Sequence, residues 1–201
     1  GDLTYASYHG GKGTEYPKDI VADGEGNVLI VGTTTSPDFP TANALQTTCP
    51  IYVGTGNCNQ ARGFVSMINI QPTQSTMTYS TYWGAPERDS NNEITAATLD
   101  DEGNAYVVGW TNGLQFPMKD PIQGHLYESF CSTFGSERYC FDSFVSKFTP
   151  TGQLSFSTFF GAVFDEFPFD ITLDNDNNIL FVGLTEASDF PTTSNAIQPN
   201  N

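Results

Sequence analysis

Positive charge is scarce in this sequence. Only 7 lysines and arginines stand against 23 aspartates and glutamates, which gives a formal net charge of −16. A chain with this balance is repelled by phosphate backbones and by anionic lipid headgroups. We therefore expect no nucleic-acid partner, whereas cations, basic partners and neutral polymers such as glycans stay open.

Long apolar runs are missing as well. No stretch approaches the roughly 18 apolar residues that a membrane-spanning helix needs, so we expect no membrane insertion. Helical periodicity is also missing, whereas aromatic residues make up 13% of the chain. Aromatic and β-branched side chains pack well on a pleated surface, and this composition favours a core of strands.

The chain has only four cysteines, in two pairs that are each nine residues apart. Each pair follows a Phe-Pro and precedes a Phe-Val-Ser in its part of the sequence. Pairing Cys49 with Cys58 and Cys131 with Cys140 closes one loop in each part. Metal binding is the alternative, but neither pair has Cys-x-x-Cys spacing and both histidines lie outside the loops.

Two disulfides would place the protein in an oxidising compartment, so we expect it to be secreted or held at the cell surface, or to lie in a periplasm. The first residue is Gly1 rather than Met, and no signal peptide is recognisable. We interpret the chain as a processed or partial product, so the missing signal says little about location.

The dominant feature of the sequence is a stretch that occurs three times, at intervals of roughly 75 residues. In the clearest copy, residues 97–111, two apolar runs flank an acidic turn that carries Gly and Asn. This pattern predicts a β-hairpin. The other copies are residues 20–34 and 171–185. An aromatic strand precedes each copy, a Phe-Pro follows it, and the first two are followed by a Phe-Val-Ser strand.

One period therefore contains four strands in an antiparallel meander, which is the blade of a β-propeller. We predict an all-β fold with an orphan outer strand at residues 1–11, a blade at 12–84, a second blade at 85–161 and a partial third at 162–201. A β-sandwich is the structural alternative, but it does not account for three copies in register. Propellers close with about four to eight blades, so the propeller is incomplete in this chain.

Together these motifs resemble the SBBP-type repeat of secreted and surface seven-bladed β-propellers. The segments that carry the resemblance are residues 38–41, 79–84, 100–109, 144–147 and 189–193. The third hairpin departs from the pattern with Asn177 in place of Gly, and the cysteine-closed loops are not part of it. The resemblance implies a propeller on a secreted or surface protein, but it implies no activity and no shared functional residues.

The acidic turns are candidate calcium ligands, because calcium takes several oxygens from a tight loop. The candidates are Asp23, Glu25, Asp100, Glu102, Asp174 and Asp176. The glycine and glutamate that an EF-hand-like loop also needs are replaced in the third copy by Ile179 and Thr185. A hairpin turn in which Asp accepts backbone N–H groups explains the same residues. Calcium is the one cofactor that these turns suggest.

No catalytic motif is present. The two histidines occupy non-equivalent positions and give no Ser-His-Asp order to test. Neighbouring carboxylates could serve a glycosidase, although chance pairing is expected with so many acids. These pairs are Asp165 with Glu166 and Glu87 with Asp89. Exposed aromatic rings could stack on sugars, but more often they fill the space between blades. The candidate stacking residues are Trp83, Trp110 and Tyr127.

These features predict a non-enzymatic extracellular scaffold or interaction module, engaged in surface adhesion or in self-assembly into a surface layer or fibre. The remaining blades of a longer chain could complete the propeller. Alternatively, the N-terminal strand of one subunit could complete the last blade of the next. The alternative function is the propeller part of a secreted carbohydrate-binding or carbohydrate-active enzyme.

Overall fold

The computed structural model describes residues 1–127, 130–133 and 136–200, and within these ranges the protein is built from strands alone. The strands, in chain order, are β1 (Glu15–Ala22), β2 (Asn27–Thr34), β3 (Arg62–Asn69), β4 (Thr76–Trp83), β5 (Asn92–Leu99), β6 (Ala105–Thr111), β7 (Phe130–Thr133), β8 (Ser136–Tyr139), β9 (Asp142–Phe148), β10 (Leu154–Phe160), β11 (Glu166–Leu173) and β12 (Ile179–Thr185). In the described ranges, no helix has the length and apolar character needed to cross a membrane.

Two complete four-stranded sheets confirm the prediction of propeller blades. In the first, β1, β2, β3 and β4 pair antiparallel in chain order, and we call this sheet blade 1. In the second, blade 2, the strands β5, β6, β9 and β10 pair in the same order. A third sheet contains only β11 and β12, and we call it the half-blade. The short hairpin of β7 and β8, inside the second cysteine loop, was not predicted from the sequence.

The glycine that recurs in the second strand of each hairpin is required by a bulge in the strand beside it. The first strand bulges at the same place in all three hairpins. A Cβ on Gly32 would lie 2.3 Å from the carbonyl oxygen of Tyr16, and a Cβ on Gly109 or Gly183 would lie 2.0 or 2.5 Å from the equivalent oxygen. The repeat therefore keeps glycine because two backbones approach closely here.

Trp83 lies in the core between blade 1 and blade 2, where it is 1% exposed. Its ring packs edge-on against Phe116 and Phe148, with ring centroids 5.6 and 4.9 Å apart. Its Nε1 donates a hydrogen bond of 3.1 Å to Ser146 Oγ. A sugar cannot reach this ring, so the prediction that Trp83 stacks on glycans is wrong. The ring instead fills the space between two blades.

The position of Trp83 at the end of the outer strand recurs in each repeat, and we call its occupants the wedge residues. They are His9, Trp83 and Phe160. The His9 ring lies 5.0 Å from the Phe39 ring, and its Nε2 lies 2.9 Å from Ser66 Oγ. Each wedge residue therefore contacts the blade that follows it.

Residues 1–11 do not form the strand that their sequence predicts. An outer strand is paired with the third strand of its own blade, as β4 is with β3, and the described residues include no such neighbour for this segment. Without a partner the backbone has no ladder to join. The segment still places His9 where an outer strand would place its wedge residue.

Both predicted disulfides are confirmed. Cys49 is bonded to Cys58 and Cys131 to Cys140, with Cα atoms 5.6 and 5.0 Å apart. Each bridge closes its own loop between the second and third strands of a complete blade. Two structural disulfides are consistent with an oxidising, extracellular environment.

Candidate interaction site

The second strand of the half-blade lies at an open edge, whereas the second strands of the complete blades do not. In blade 1, β2 pairs with β1 on one side and β3 on the other, and in blade 2, β6 pairs with β5 and β9. Among the described residues, β12 pairs with β11 alone. Its other edge presents backbone N–H and C=O groups that could pair with a further strand.

The half-blade also exposes apolar side chains that are buried in blade 1. Val182 is 62% exposed, whereas Val31, which holds the same place before the repeated glycine, is 0% exposed. The other large apolar side chains exposed on the half-blade are Phe169, Leu180 and Leu184. Several large apolar side chains exposed on one small sheet are typical of a surface that binds another element.

A cleft of about 350 Å³ lies beside the open edge, and we call it the aromatic cleft. Its lining includes Phe160, Phe181, Gly183 and Phe190. The ring of Phe160 packs against Phe181 and Phe190, with centroids 5.5 and 5.4 Å away. The cleft is therefore an apolar recess that adjoins unpaired backbone, which is the arrangement used for strand recognition.

The acidic turns are held by their own hydrogen bonds. In the third turn, Asp174 Oδ1 accepts the backbone N–H groups of Asp176 and Asn178 at 2.9 and 2.8 Å. The side-chain amide of Asn178 donates to Asp174 Oδ2 at 2.8 Å, and these bonds hold the pKa of Asp174 below its usual value. Asp23 and Asp100 accept the equivalent bonds. This geometry supports the hairpin-turn interpretation.

Among the residues that the structure describes, the turn acids Glu25, Glu102 and Asp176 do not belong to any group of three ligands close enough to hold a metal ion. The turns of blade 1 and blade 2 line one cleft of about 500 Å³, which contains Glu25 and Glu102. In the part of the chain that the structure describes, the only group of three ligands close enough to hold an ion is Cys131, Cys140 and Asp165. The two sulfur atoms of this group are bonded to each other in a disulfide. Calcium binding by the acidic turns stays a prediction.

The neighbouring carboxylates considered for a glycosidase accept hydrogen bonds from other parts of the chain. Asp165 accepts two hydrogen bonds from the Arg138 guanidinium, at 2.9 and 2.7 Å. Glu166 is buried and accepts from Thr185 Oγ1 at 2.9 Å and from the Ala162 backbone at 3.1 Å. In the second pair, Glu87 accepts from the backbone of Gln115 and Asp89 from the side chain of Asn59.

The two remaining candidates for sugar stacking are separated in the fold. Trp110 packs against Phe141 and Phe167, with ring centroids 4.5 and 5.7 Å apart. It therefore belongs to the contact between blade 2 and the half-blade. Tyr127 lies in the second cysteine region and is about half exposed. Trp83 is buried between blade 1 and blade 2, so the three rings do not form a common platform for a sugar.

A pair of buried charges was missed in the sequence. Arg62 and Asp142 hold equivalent positions, since each is the first residue of the third strand of its blade. Arg62 is 2% exposed and donates to the carbonyl oxygens of Ser90 and Glu87. Burial lowers the pKa of Arg62 to about 10. The only sequence signal was a charged residue placed shortly before each Phe-Val-Ser.

Asp142 is 0% exposed and lies beside other acids. Its Oδ2 accepts from the Gln123 side chain at 3.0 Å and from the Tyr127 backbone at 3.2 Å, while Oδ1 has no hydrogen-bond partner among the described residues. Burial, together with the negative charges of Glu166 and Asp165, raises the pKa of Asp142 to about 7. The contact between blade 2 and the half-blade therefore contains a carboxyl group that titrates near neutral pH.

Comparison with known protein families agrees with this architecture. The fold defines the class as an array of β-propeller blades. Residues 4–40 and 78–117 match the family model of the SBBP beta-propeller repeat. Each match begins at the outer-strand position of one repeat and ends at the Phe-Pro of the next. The two matched segments are similar to this repeat, which confirms the resemblance seen in the motifs. No curated protein matches the chain.

Proposed function

We propose that this chain is a non-catalytic scaffold and interaction module that takes up a further strand along the open edge of β12. One observation carries the proposal: β2 and β6 are paired on both edges, whereas β12 is paired on one. Strand addition supplies backbone hydrogen bonds without a dedicated pocket. Repeats of a propeller suit a scaffold, and the two disulfides suit an extracellular setting. Assembly of surface layers or fibres, or adhesion, would use such a joint.

The strand that fits this edge is a third strand rather than an outer strand. In both complete blades, the neighbour of the second strand is the Phe-Val-Ser strand, β3 or β9. Residues 1–11 correspond to an outer strand, which pairs one place further out. An N-terminal segment laid directly on β12 would therefore leave that blade one strand short. The proposal accordingly assigns the joint to a third-strand segment.

The test is hydrogen exchange of the β12 amides in the 201-residue chain, alone and with an added third-strand peptide, because both third strands of the chain, β3 and β9, are already paired on both sides. We expect the peptide to slow exchange over Ile179–Thr185. Replacing Val182 by Lys should weaken this pairing, because a charge on an edge strand opposes pairing. Val53→Lys is the matched control, since Val53 is 91% exposed in the first cysteine loop. Free exchange of the β12 amides with the peptide present, in a folded chain, would overturn the proposal.

A further inference from the structure

In both complete blades, a phenylalanine of the third strand lies on the repeated glycine of the second. Phe64 is directly opposite Gly32, and Phe144 is directly opposite Gly109. A Cβ on Gly32 would lie 3.0 Å from Phe64 Cε1, and one on Gly109 would lie 2.7 Å from Phe144 Cζ. The glycine thus leaves room for the ring as well as for the bulge of the first strand.

The same phenylalanine packs against the ring of the Phe-Pro motif. The Phe64 ring lies 4.7 Å from Phe39, and the Phe144 ring lies 4.3 Å from Phe116. Both third-strand rings are buried. The glycine and the Phe-Pro ring therefore contact one aromatic side chain in each complete blade, and the wedge residue packs on the Phe-Pro ring beside it.

The half-blade has every part of this arrangement except the third-strand ring. Gly183, Phe190 and the wedge residue Phe160 all line the aromatic cleft of about 350 Å³. That volume falls within the lower part of the range of small-ligand pockets, roughly 300–1,000 Å³. The cleft thus stands at the place that Phe64 and Phe144 fill in the complete blades.

We infer that the aromatic cleft is a receptor for one phenylalanine side chain, carried by an extended segment that pairs with β12 and sets this phenylalanine opposite Gly183. The inference rests on the proposed strand addition and names what that strand must contain. By the register of the complete blades, the Val that follows lies opposite Val182 and the Ser opposite Phe181. The partner is therefore a strand of the Phe-Val-Ser pattern.

Charge favours a lysine after the serine. In blade 2, Lys147 follows this pattern and its Nζ lies 3.5 Å from Asp100 Oδ2, in the acidic turn. The half-blade keeps the equivalent turn acid as Asp174. An incoming Phe-Val-Ser-Lys strand would bring the same cation to the same place, in a protein whose net charge is −16.

A labelled peptide with the sequence of Asp142–Phe148 is the probe, because this strand already fits the equivalent edge of blade 2. Its binding to the 201-residue chain would be measured by fluorescence anisotropy, and hydrogen exchange would locate it on β12. The matched peptide carries F144A. We expect the alanine peptide to bind about 30-fold or more weakly, as is typical when a central aromatic anchor is removed.

The receptor side is tested with Phe190→Ala, which removes the ring on which the incoming phenylalanine would stack. This variant should weaken binding of the phenylalanine peptide. It should also reduce the difference in affinity between the phenylalanine and alanine peptides, which is the signature of direct contact. Phe164→Ala is the control, because Phe164 is exposed and lies outside the cleft lining. Thermal melting would verify that both variants are folded.

The outcomes separate the inference from the proposed function. Selective binding of the phenylalanine peptide at β12, lost with Phe190→Ala, supports both. Equal binding of the two peptides at β12 keeps strand addition but overturns recognition of the phenylalanine. Absence of binding by either peptide at β12, with the chain folded, overturns strand addition itself and the inference with it.

Discussion

The contact between blades 1 and 2 and the contact between blade 2 and the half-blade use the same positions with different charge. Asn92 begins the inner strand in the first, and Glu166 begins it in the second. Each accepts a hydrogen bond from a threonine of the neighbouring strand, at 2.7 and 2.9 Å. The first contact adds the cation of Arg62, whereas the second adds the carboxyl of Asp142.

The two carboxyls of the second contact converge on one point of the backbone. A Cβ on Gly161 would lie 2.6 Å from Glu166 Oε2 and 3.0 Å from Asp142 Oδ2. At the same place in the first contact, Gly84 faces the neutral amide of Asn92. Two buried carboxyls in this proximity resist full ionisation. We therefore expect the first contact to be insensitive to pH near neutrality and the second to be sensitive to it.

The largest expected effect is a difference in stability loss between the buried tryptophan of the first contact and the partly buried tryptophan of the second. Trp83→Ala would remove a fully buried ring and leave a cavity, which should lower the free energy of unfolding by about 3–5 kcal/mol. Trp110→Ala should cost less, because Trp110 is only partly buried. Urea denaturation would measure both. Trp83→Phe is the control and should be far milder, since Phe160 fills the equivalent place; equal losses for Trp83→Ala and Trp110→Ala would contradict the comparison.

The second prediction removes the cation of the first contact. Arg62→Met would leave the carbonyl oxygens of Ser90 and Glu87 without their donor, so we expect a loss of about 2–3 kcal/mol in urea denaturation. The loss should hardly change between pH 5.5 and pH 8, because Arg62 stays charged over that range. Arg62→Lys keeps the charge but not the fork of donors and should recover only part of the stability. If Arg62→Met left the free energy of unfolding unchanged, the buried cation would be dispensable.

The blade architecture could be predicted from the sequence because it depends on local patterns that recur. Hairpin turns, alternating strands and loop-closing cysteines repeat in register, and each copy supports the reading of the others. The disulfide pairing followed from that repetition. Strand formation at residues 1–11 could not be judged in this way, because a β-ladder requires a partner that the local sequence does not reveal.

Burial between blades could not be predicted from the sequence. Trp83 and Trp110 looked alike as aromatic residues near turns, and only the packing of the next blade made one a core residue. Arg62 and Asp142 looked like solvent-facing charges at the start of a strand, since lysines, arginines and acids are rarely buried. Their burial depends on loops folded over them from elsewhere in the chain, which no local pattern records.

The third prediction uses pH to separate the contacts. Because burial raises the pKa of Asp142 to about 7 in the folded protein, protonation favours the folded state. Its contribution is present in acid and is lost as the pH rises through 7, so the chain should be more stable at pH 5.5 than at pH 8 by roughly 2 kcal/mol from this group. The other charges that face it are Glu166, Asp165 and, through Asp165, Arg138.

Asp142→Asn should abolish that part of the pH dependence. Burial lowers the pKa of His9. Its contribution to the stability of the chain therefore acts in the opposite direction and is lost as the pH falls. The difference between the parent chain and Asp142→Asn removes this background, because both contain His9. Trp83→Phe, with Trp110 as the one remaining tryptophan, lets fluorescence report on the contact with the half-blade. An unchanged pH profile in Asp142→Asn would remove the distinction between the two contacts.

The smallest expected effect concerns the acidic turns, which differ between blade 2 and the half-blade in what surrounds them. Asp100 is buried and also accepts from the Tyr106 hydroxyl at 3.0 Å, whereas Asp174 is exposed and, in the part of the chain that the structure describes, accepts only from its own turn. Asp100→Asn should therefore destabilise the chain by about 1 kcal/mol, and Asp174→Asn by less.

Calcium sharpens the same contrast between turns that need only hydrogen bonds and turns that also need an ion. Because each first aspartate already accepts backbone and side-chain donors, the turns should form without calcium, and millimolar calcium should shift the melting temperature by less than about 1 °C. Magnesium at the same concentration controls for screening of the net charge. A calcium-specific rise of several degrees, lost with Asp100→Asn, would instead make the turns of the complete blades ion sites.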